Sequence, residues 1–345
     1  MLEGLDSVNW AGLRHAYGKA TDVPGQIRAL RSADSREREA ALDQLFFNII
    51  HQGSQTDAAP YAVPFLLEIL AAPDTEDRAK VLELLAYLAT GYDHELLEYG
   101  WPFEGPGETH RAVRAGVPLF RELLRDEEPA VRIRAAYALA WFPENAAESL
   151  RSLVPLLAAA DELLVATTTV AVGLLGGRAD AGLADERPVV RWAAAIACAH
   201  VDGQEASSAA VDELLAAAAG SVNHVRGVPF MDGDLDSYAA VALRRVGARQ
   251  VDAGFDRLLT RIPAVSGEEA LSVVGVALEI AFPRDLPGGG YQALNRRQRG
   301  LIDQLVRSPD VWLLDGAPFD RFTSLVEAYR LPASRDALAD YTMAP

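Results

Sequence analysis

The side chains most able to do chemistry cluster in the first third of the chain. The densest set falls in residues 91–110, GYDHELLEYGWPFEGPGETH, which carries Tyr92, Asp93, His94, Glu95, Trp101, Phe103, Glu108 and His110. A second set lies upstream: His15 and Tyr17, then His51 and Gln52 in NIIHQGS. Imidazole and carboxylate are suitable ligands for zinc or iron. A metal centre built on a helix needs its ligands at i, i+3 or i+4, however, and His94-Glu95 is a single dyad of neighbours. No metal and no cofactor is therefore expected. Tyr and Trp offer large contact areas with few rotamers to freeze, so 91–110 reads either as a binding element or as an aromatic plug over one edge of the fold.

Other polar clusters carry less. Asp232, Asp234 and Asp236 alternate like calcium ligands, but the glycine and distant glutamate of an EF-hand loop are out of place. Asp236 is expected instead to cap a helix. The glycines of FPRDLPGGGY (282–291) form no GxGxxG and precede no Lys-Ser/Thr, which argues against a phosphate cradle. The basic clusters RRVGAR and NRRQR are short and separate, and are read as solvating helix faces. There is no Gly-x-Ser-x-Gly elbow, Walker loop or HExxH, and the enzyme question leans towards no.

These residues need a helical framework. Half of the chain is hydrophobic and only 8% is aromatic, with Ala, Leu and Val dominating; small and straight-chain apolar residues favour close-packed helices. A formal net charge of −17 disfavours nucleic acid, whose phosphates need Lys and Arg. It suits a soluble scaffold or a basic partner. The lone Cys198 lies in the apolar run RWAAAIACAHV and is expected to be a core residue in a reducing cytoplasm. No secretory signal core or membrane span is expected, because the longest uncharged run, 163–177, is too short and too rich in Thr and Gly.

Internal repetition is the strongest signal. Val-Pro recurs at Val23, Val63, Val117 and Val154, each time followed by a short helix, a turn with Asp, and a second helix rich in Ala and Leu. A tighter match joins DEEPAVRIRAA (126–136) to DERPVVRWAAA (185–195). There the Asp is expected to cap the second helix, and Arg132 and Arg191 to reach the Asp of a neighbouring repeat. The first repeat, DSRERE, has no Val-Arg in this register. Ser266 and Glu269 suggest a capping box.

These segments resemble HEAT repeats over about residues 20–280, and openings such as HAYGKATDVP resemble HEAT-repeat proteins of actinobacteria. The resemblance implies an all-α, right-handed α-solenoid of antiparallel helix pairs with a helical C-terminal cap. Residues 1–22 would form an N-terminal helix bearing His15 and Tyr17, residues 23–281 the repeats, and 282–345 the cap, with no strand. Insertions at 91–110 and 220–237 would fall on opposite edges of the stack. The function implied is a non-catalytic scaffold for a protein or peptide partner, in an immunity-like or regulatory role against a basic protein. The alternative is a small-molecule or enzymatic pocket formed by His15, Tyr17, His51, His94, Glu95 and His110.

Overall fold

The computed structural model describes residues 1–101, 106–218, 224–246, 255–256, 258–282, 290–314 and 316–343. They form two compact units. The first is Met1–Ala179 with Arg226–Gly233, and the second is Asp180–Val225 with Asp234–Pro345. The architecture is an all-α solenoid.

In the first unit the pairs are α1 (Val23–Ala29) with α2 (Ser35–Ile49), and α3 (Ala59–Ala71) with α4 (Arg78–Thr90). A short α5 (Asp93–Tyr99) follows, then α6 (Glu108–Arg114), which packs on α3 and α4, and α7 (Val117–Leu123), which pairs with α8 (Pro129–Leu139). The last pair is α9 (Ala146–Leu153) with α10 (Glu162–Leu174). Second helices stack in the order α2, α4, α8, α10, and first helices pack in a parallel row. Ala135, Ala136 and Ala138 of α8 are fully buried, which lets its neighbours approach closely.

The second unit holds α11 (Pro188–Asp202), α12 (Ser208–Ala216), α13 (Leu235–Leu243) and α14 (Gly267–Ala281). It ends with α15 (Arg296–Arg307), α16 (Asp320–Ala328) and α17 (Arg335–Met343). Asn295 and Gln298 form a reciprocal capping box at the start of α15. Ser266 takes the N-cap position of α14 with no side-chain cap bond, and the Glu269 side chain of the expected capping box lies outside the described residues. Asp234, not Asp236, caps α13 by accepting from the Ser237 amide at 3.1 Å.

Several expectations are corrected. Residues 1–22 are not a helix: two single turns lead into a hairpin of β1 (Arg14–His15) and β2 (Gly18–Lys19), closed where Gly18 adopts φ 145°. Two more two-residue ladders occur, β3 (Ile50–His51) with β4 (Ser54–Gln55) and β5 (Leu313–Leu314) with β6 (Ala317–Pro318). Val-Pro opens a helix only at Val23 and Val117. Pro64 lies inside α3, and Val154 begins a 3-10 extension of α9.

The repeat arginine also acts differently from its expected role. Arg132 donates to the carbonyls of Asp126 (2.8 Å) and Glu127 (3.1 Å), closing its own turn. Arg191 does the same to Asp185 (2.9 Å) and Glu186 (3.0 Å), and its Nε reaches Glu213 at 2.8 Å. Arg38 binds Ser32 O at 3.0 Å and Ala33 O at 3.4 Å, so the first repeat keeps the arginine although Glu37 replaces the valine. Its Nε donates to Asp77 of the next pair at 2.7 Å. Asp126 is met from the preceding pair by Arg78.

Arg38 is buried and serves three acceptors. Arg38→Ala should cost about 2–3 kcal/mol by urea denaturation, since a hydrogen bond to a charged group is worth about 1.5–3 kcal/mol. Arg28→Ala, which removes an exposed ion pair with Asp6, should leave the midpoint nearly unchanged.

Candidate functional site

The sequence-predicted residues separate into two places within the first unit. At the N-terminal hairpin, the Tyr17 amide donates to His15 Nδ1 at 3.0 Å. Nε2 therefore carries the proton and donates to Asp22 at 2.9 Å. Asp22 also accepts from Gln26 (2.8 Å) and Asn48 (3.2 Å). With both ring nitrogens engaged in local bonds, His15 acts structurally. Tyr17 is exposed and meets the His51 ring edge-on at 5.4 Å.

The β3–β4 hairpin carries Gln52 and Gly53 at its turn, both with left-handed backbones. It rests on the 91–110 segment: a Cβ at Gly53 would lie 2.8 Å from the Tyr92 ring, and one at Gly91 would collide with Gly53 O. Tyr92 stacks on the exposed His94 at 5.5 Å. Trp101 meets His110 edge-on at 4.8 Å. Beside them opens a cavity of about 860 Å³, lined among others by Gln55, Tyr61, Trp101, Glu108 and His110. His110 is buried; its Nε2 donates to Trp141 O at 2.9 Å, and its Nδ1 has no partner among the described residues. Phe103 and the Glu95 side chain lie outside the described residues.

A third arrangement was not foreseen. Arg226–Gly233 leaves its neighbours in sequence and lies on the second helices of the first unit. Phe230 is fully buried, 4.9 Å from the ring of Tyr137 in Ala-rich α8 and 5.9 Å from that of Trp141 just past its end. The Met231 amide donates to Asp93 Oδ2 at 2.9 Å, and the Tyr137 hydroxyl donates to the same oxygen at 3.1 Å. Tyr87 of α4 donates to Asp232 at 2.7 Å, and one turn away Arg134 holds Glu83 at 2.8 Å. Asp93 thus joins the 91–110 and 220–237 insertions, which were expected on opposite edges. They meet because the later segment crosses the helix faces. The sequence signal was available in hindsight: tyrosines amid Ala and Leu, and an apolar VPFM motif bounded by Gly227 and Gly233.

Burial raises the Asp93 carboxyl to about 6, opposed by the Met231 and Tyr137 bonds and reinforced by the nearby Asp232 carboxylate. Burial likewise raises Glu83, with Arg134 opposing and Asp232 adding to the rise. The Tyr87 hydroxyl is pushed up by burial, and then by its bond to Asp232.

Compared with known proteins, residues 63–172 match a family model described as HEAT repeats. Those residues are HEAT repeats. They include α4, α5 and α8, so Tyr87, Asp93, His110, Tyr137 and Trp141 all stand on or between HEAT helices. Similar solved structures include an engineered protein at 18% identity, covering 93% of this chain and 82% of its own, with a TM-score of 0.40. A designed armadillo repeat protein in complex with the peptide (KR)4 is 17% identical, covers 75% of this chain and 99% of its own, and scores 0.32. Importin beta is 14% identical, covers 92% of this chain and 46% of its own, and scores 0.31. No curated protein sequence matches the chain.

In the second unit, Asp180, Cys198 and Asp202 bring three ligand atoms within 4.8 Å of one another. Cys198 is buried there, with its Sγ 3.6 Å from Asp180. The NRRQR cluster does more than solvate a helix face: Arg296, Arg297 and Arg299 line a cavity of about 970 Å³ with Tyr291 and Asp303. Arg297 also lies over the Phe255 ring at 5.6 Å. No helix among the described residues is long and apolar enough to cross a membrane.

A carboxyl raised by folding binds its proton more tightly in the native state, so the native state loses stability as pH rises from the unfolded value near 4 through about 6. That loss is on the order of 2–3 kcal/mol. In Asp93→Asn it should vanish: thermal melts should show the variant gaining several degrees on wild type between pH 4 and pH 7. A constant difference across that range would contradict the assignment.

Proposed function

We propose that this protein is a non-catalytic scaffold that binds a segment of another protein on the second-helix face of its first unit. The observation that carries this reading is Phe230 seated between Tyr137 and Trp141, with the following backbone and side chain held by Asp93 and Tyr87. A face that accepts one non-helical segment through an aromatic anchor and a polar ladder has the parts that peptide recognition requires. The net charge of −17 supports a basic partner, in the immunity-like or regulatory role open to such scaffolds. Residues proposed for the contact are Tyr87, Asp93, Tyr137 and Trp141. The 91–110 edge, with Tyr92, His94, Trp101 and Glu108, would extend it.

A second reading, a small-molecule site, draws on the cavity beside Trp101 and His110 and on the unpartnered His110 Nδ1. Among the described residues, its lining includes the carboxylates Asp57 and Glu108 and no Lys or Arg, which favours an amine or other hydrogen-bond donor over an anion.

Selection of a displayed random peptide library on the protein separates the two. The scaffold reading expects enriched peptides whose binding falls at least tenfold in Trp141→Ala and stays unchanged in Gly107→Trp, which fills the cavity mouth. Enrichment lost in Gly107→Trp but kept in Trp141→Ala would favour the cavity. Failure to enrich any peptide would count against the scaffold.

A further inference from the structure

The Arg226–Gly233 segment is a poor fit for a permanent structural part. Four of its eight residues have left-handed backbones: Gly227 (φ 95°), Met231 (49°), Asp232 (53°) and Gly233 (85°). Methionine in that region is strained, by about 1–3 kcal/mol at such positions. Of the segment's backbone amides, that of Asp232 is bonded within the segment, to Pro229 O at 3.2 Å, and that of Met231 is satisfied by the Asp93 side chain. Glycines stand at both ends, where a hinge would be placed.

The charges also disagree. Asp232 brings a carboxylate to a face that already holds Glu83 and Asp93, with Arg134 as the cation bonded there. Each of the two resident acids is made harder to ionise by Asp232. The Phe230 anchor is well matched to its aromatic walls, whereas the residue two positions later is a like charge.

We propose that Arg226–Gly233 is a tethered, displaceable occupant of the groove over α4 and α8, and that the partner displacing it is a protein segment with an aromatic anchor followed two residues later by Lys or Arg. The partner's cation would lie beside Glu83 and Asp93, with the Tyr87 hydroxyl turned to accept from it. The occupant then sets a threshold, because a groove filled about 90% of the time weakens any competitor about tenfold. This inference rests on the scaffold reading and adds to it the partner's chemistry and a built-in competitor.

The test uses the full chain, a variant with residues 226–233 replaced by an eight-residue Gly/Ser linker, and two fluorescein-labelled peptides. These are Gly-Val-Pro-Phe-Met-Lys-Gly and Gly-Val-Pro-Phe-Met-Asp-Gly, followed by fluorescence anisotropy. The linker variant should bind the Lys peptide at least tenfold more tightly than wild type does. It should also prefer the Lys peptide to the Asp peptide, with a preference that shrinks in high salt. Equal affinity in wild type and linker variant, a preference for the Asp peptide, or no binding by a linker variant of unchanged helix content would each overturn the proposal. Asp232→Asn in the full chain gives an independent reading, because it keeps an acceptor for Tyr87 and removes the like charge. Its melting temperature should rise, and a fall would overturn the charge argument even if the linker variant does not fold. Library peptides that bind through Trp141 while both labelled peptides fail would leave the scaffold reading standing and end this one.

Discussion

A helix pair can stack on the next only if the turn between its two helices is fixed, and in three of the pairs an arginine side chain fixes it. Arg38, Arg132 and Arg191 each fold back onto the carbonyls five and six residues earlier. Those carbonyls belong to the sharp turn and lack an intrahelical partner. A guanidinium presents several donors in a rigid fork, so it can hold two carbonyls and still pair with an acid in the next repeat, as Arg38 does with Asp77 and Arg191 with Glu213. That closure sets the start of α2, α8 and α11, and so the face of α8 on which Tyr137 stands.

On the second-helix face, the polar groups are bound to one another. Asp93 receives two donors and sits beside Asp232, while Glu83 and Arg134 neutralise each other a turn away. None of these groups is paired as nucleophile and base. Two of the histidines are similarly committed: His15 to Asp22 and the Tyr17 amide, and His110 to the Trp141 carbonyl. What the face offers is an aromatic slot with a ladder of hydrogen bonds running away from it.

The sequence revealed the helix pairs because a repeat writes the same turn several times, and the Asp-Glu-x-Pro-x-Val-Arg motif marks it twice. It concealed the first copy because Arg38 keeps the bond while its neighbour Glu37 breaks the pattern; the chemistry depends on the guanidinium and not on the valine. The hairpins at Arg14–Lys19 and Ile50–Gln55 were hidden because two-residue ladders are too short to show an alternation. Within 91–110, Asp93 was visible as a titratable residue and invisible as a buried one, since its partner Met231 lies 138 positions later. Periodicity reports on local structure, whereas that pairing depends on where a distant loop is laid.

The return of Arg226–Gly233 to the first unit has a consequence for biosynthesis. The ribosome delivers the pairs up to Ala179 well before Phe230 exists, so for some fifty residues of elongation Tyr137 and Trp141 stand without their neighbour. Domains ordinarily fold as they emerge. This one must keep an uncovered aromatic slot until two-thirds of the chain has been made. During that interval the slot is open to any chaperone or partner within reach of the nascent chain.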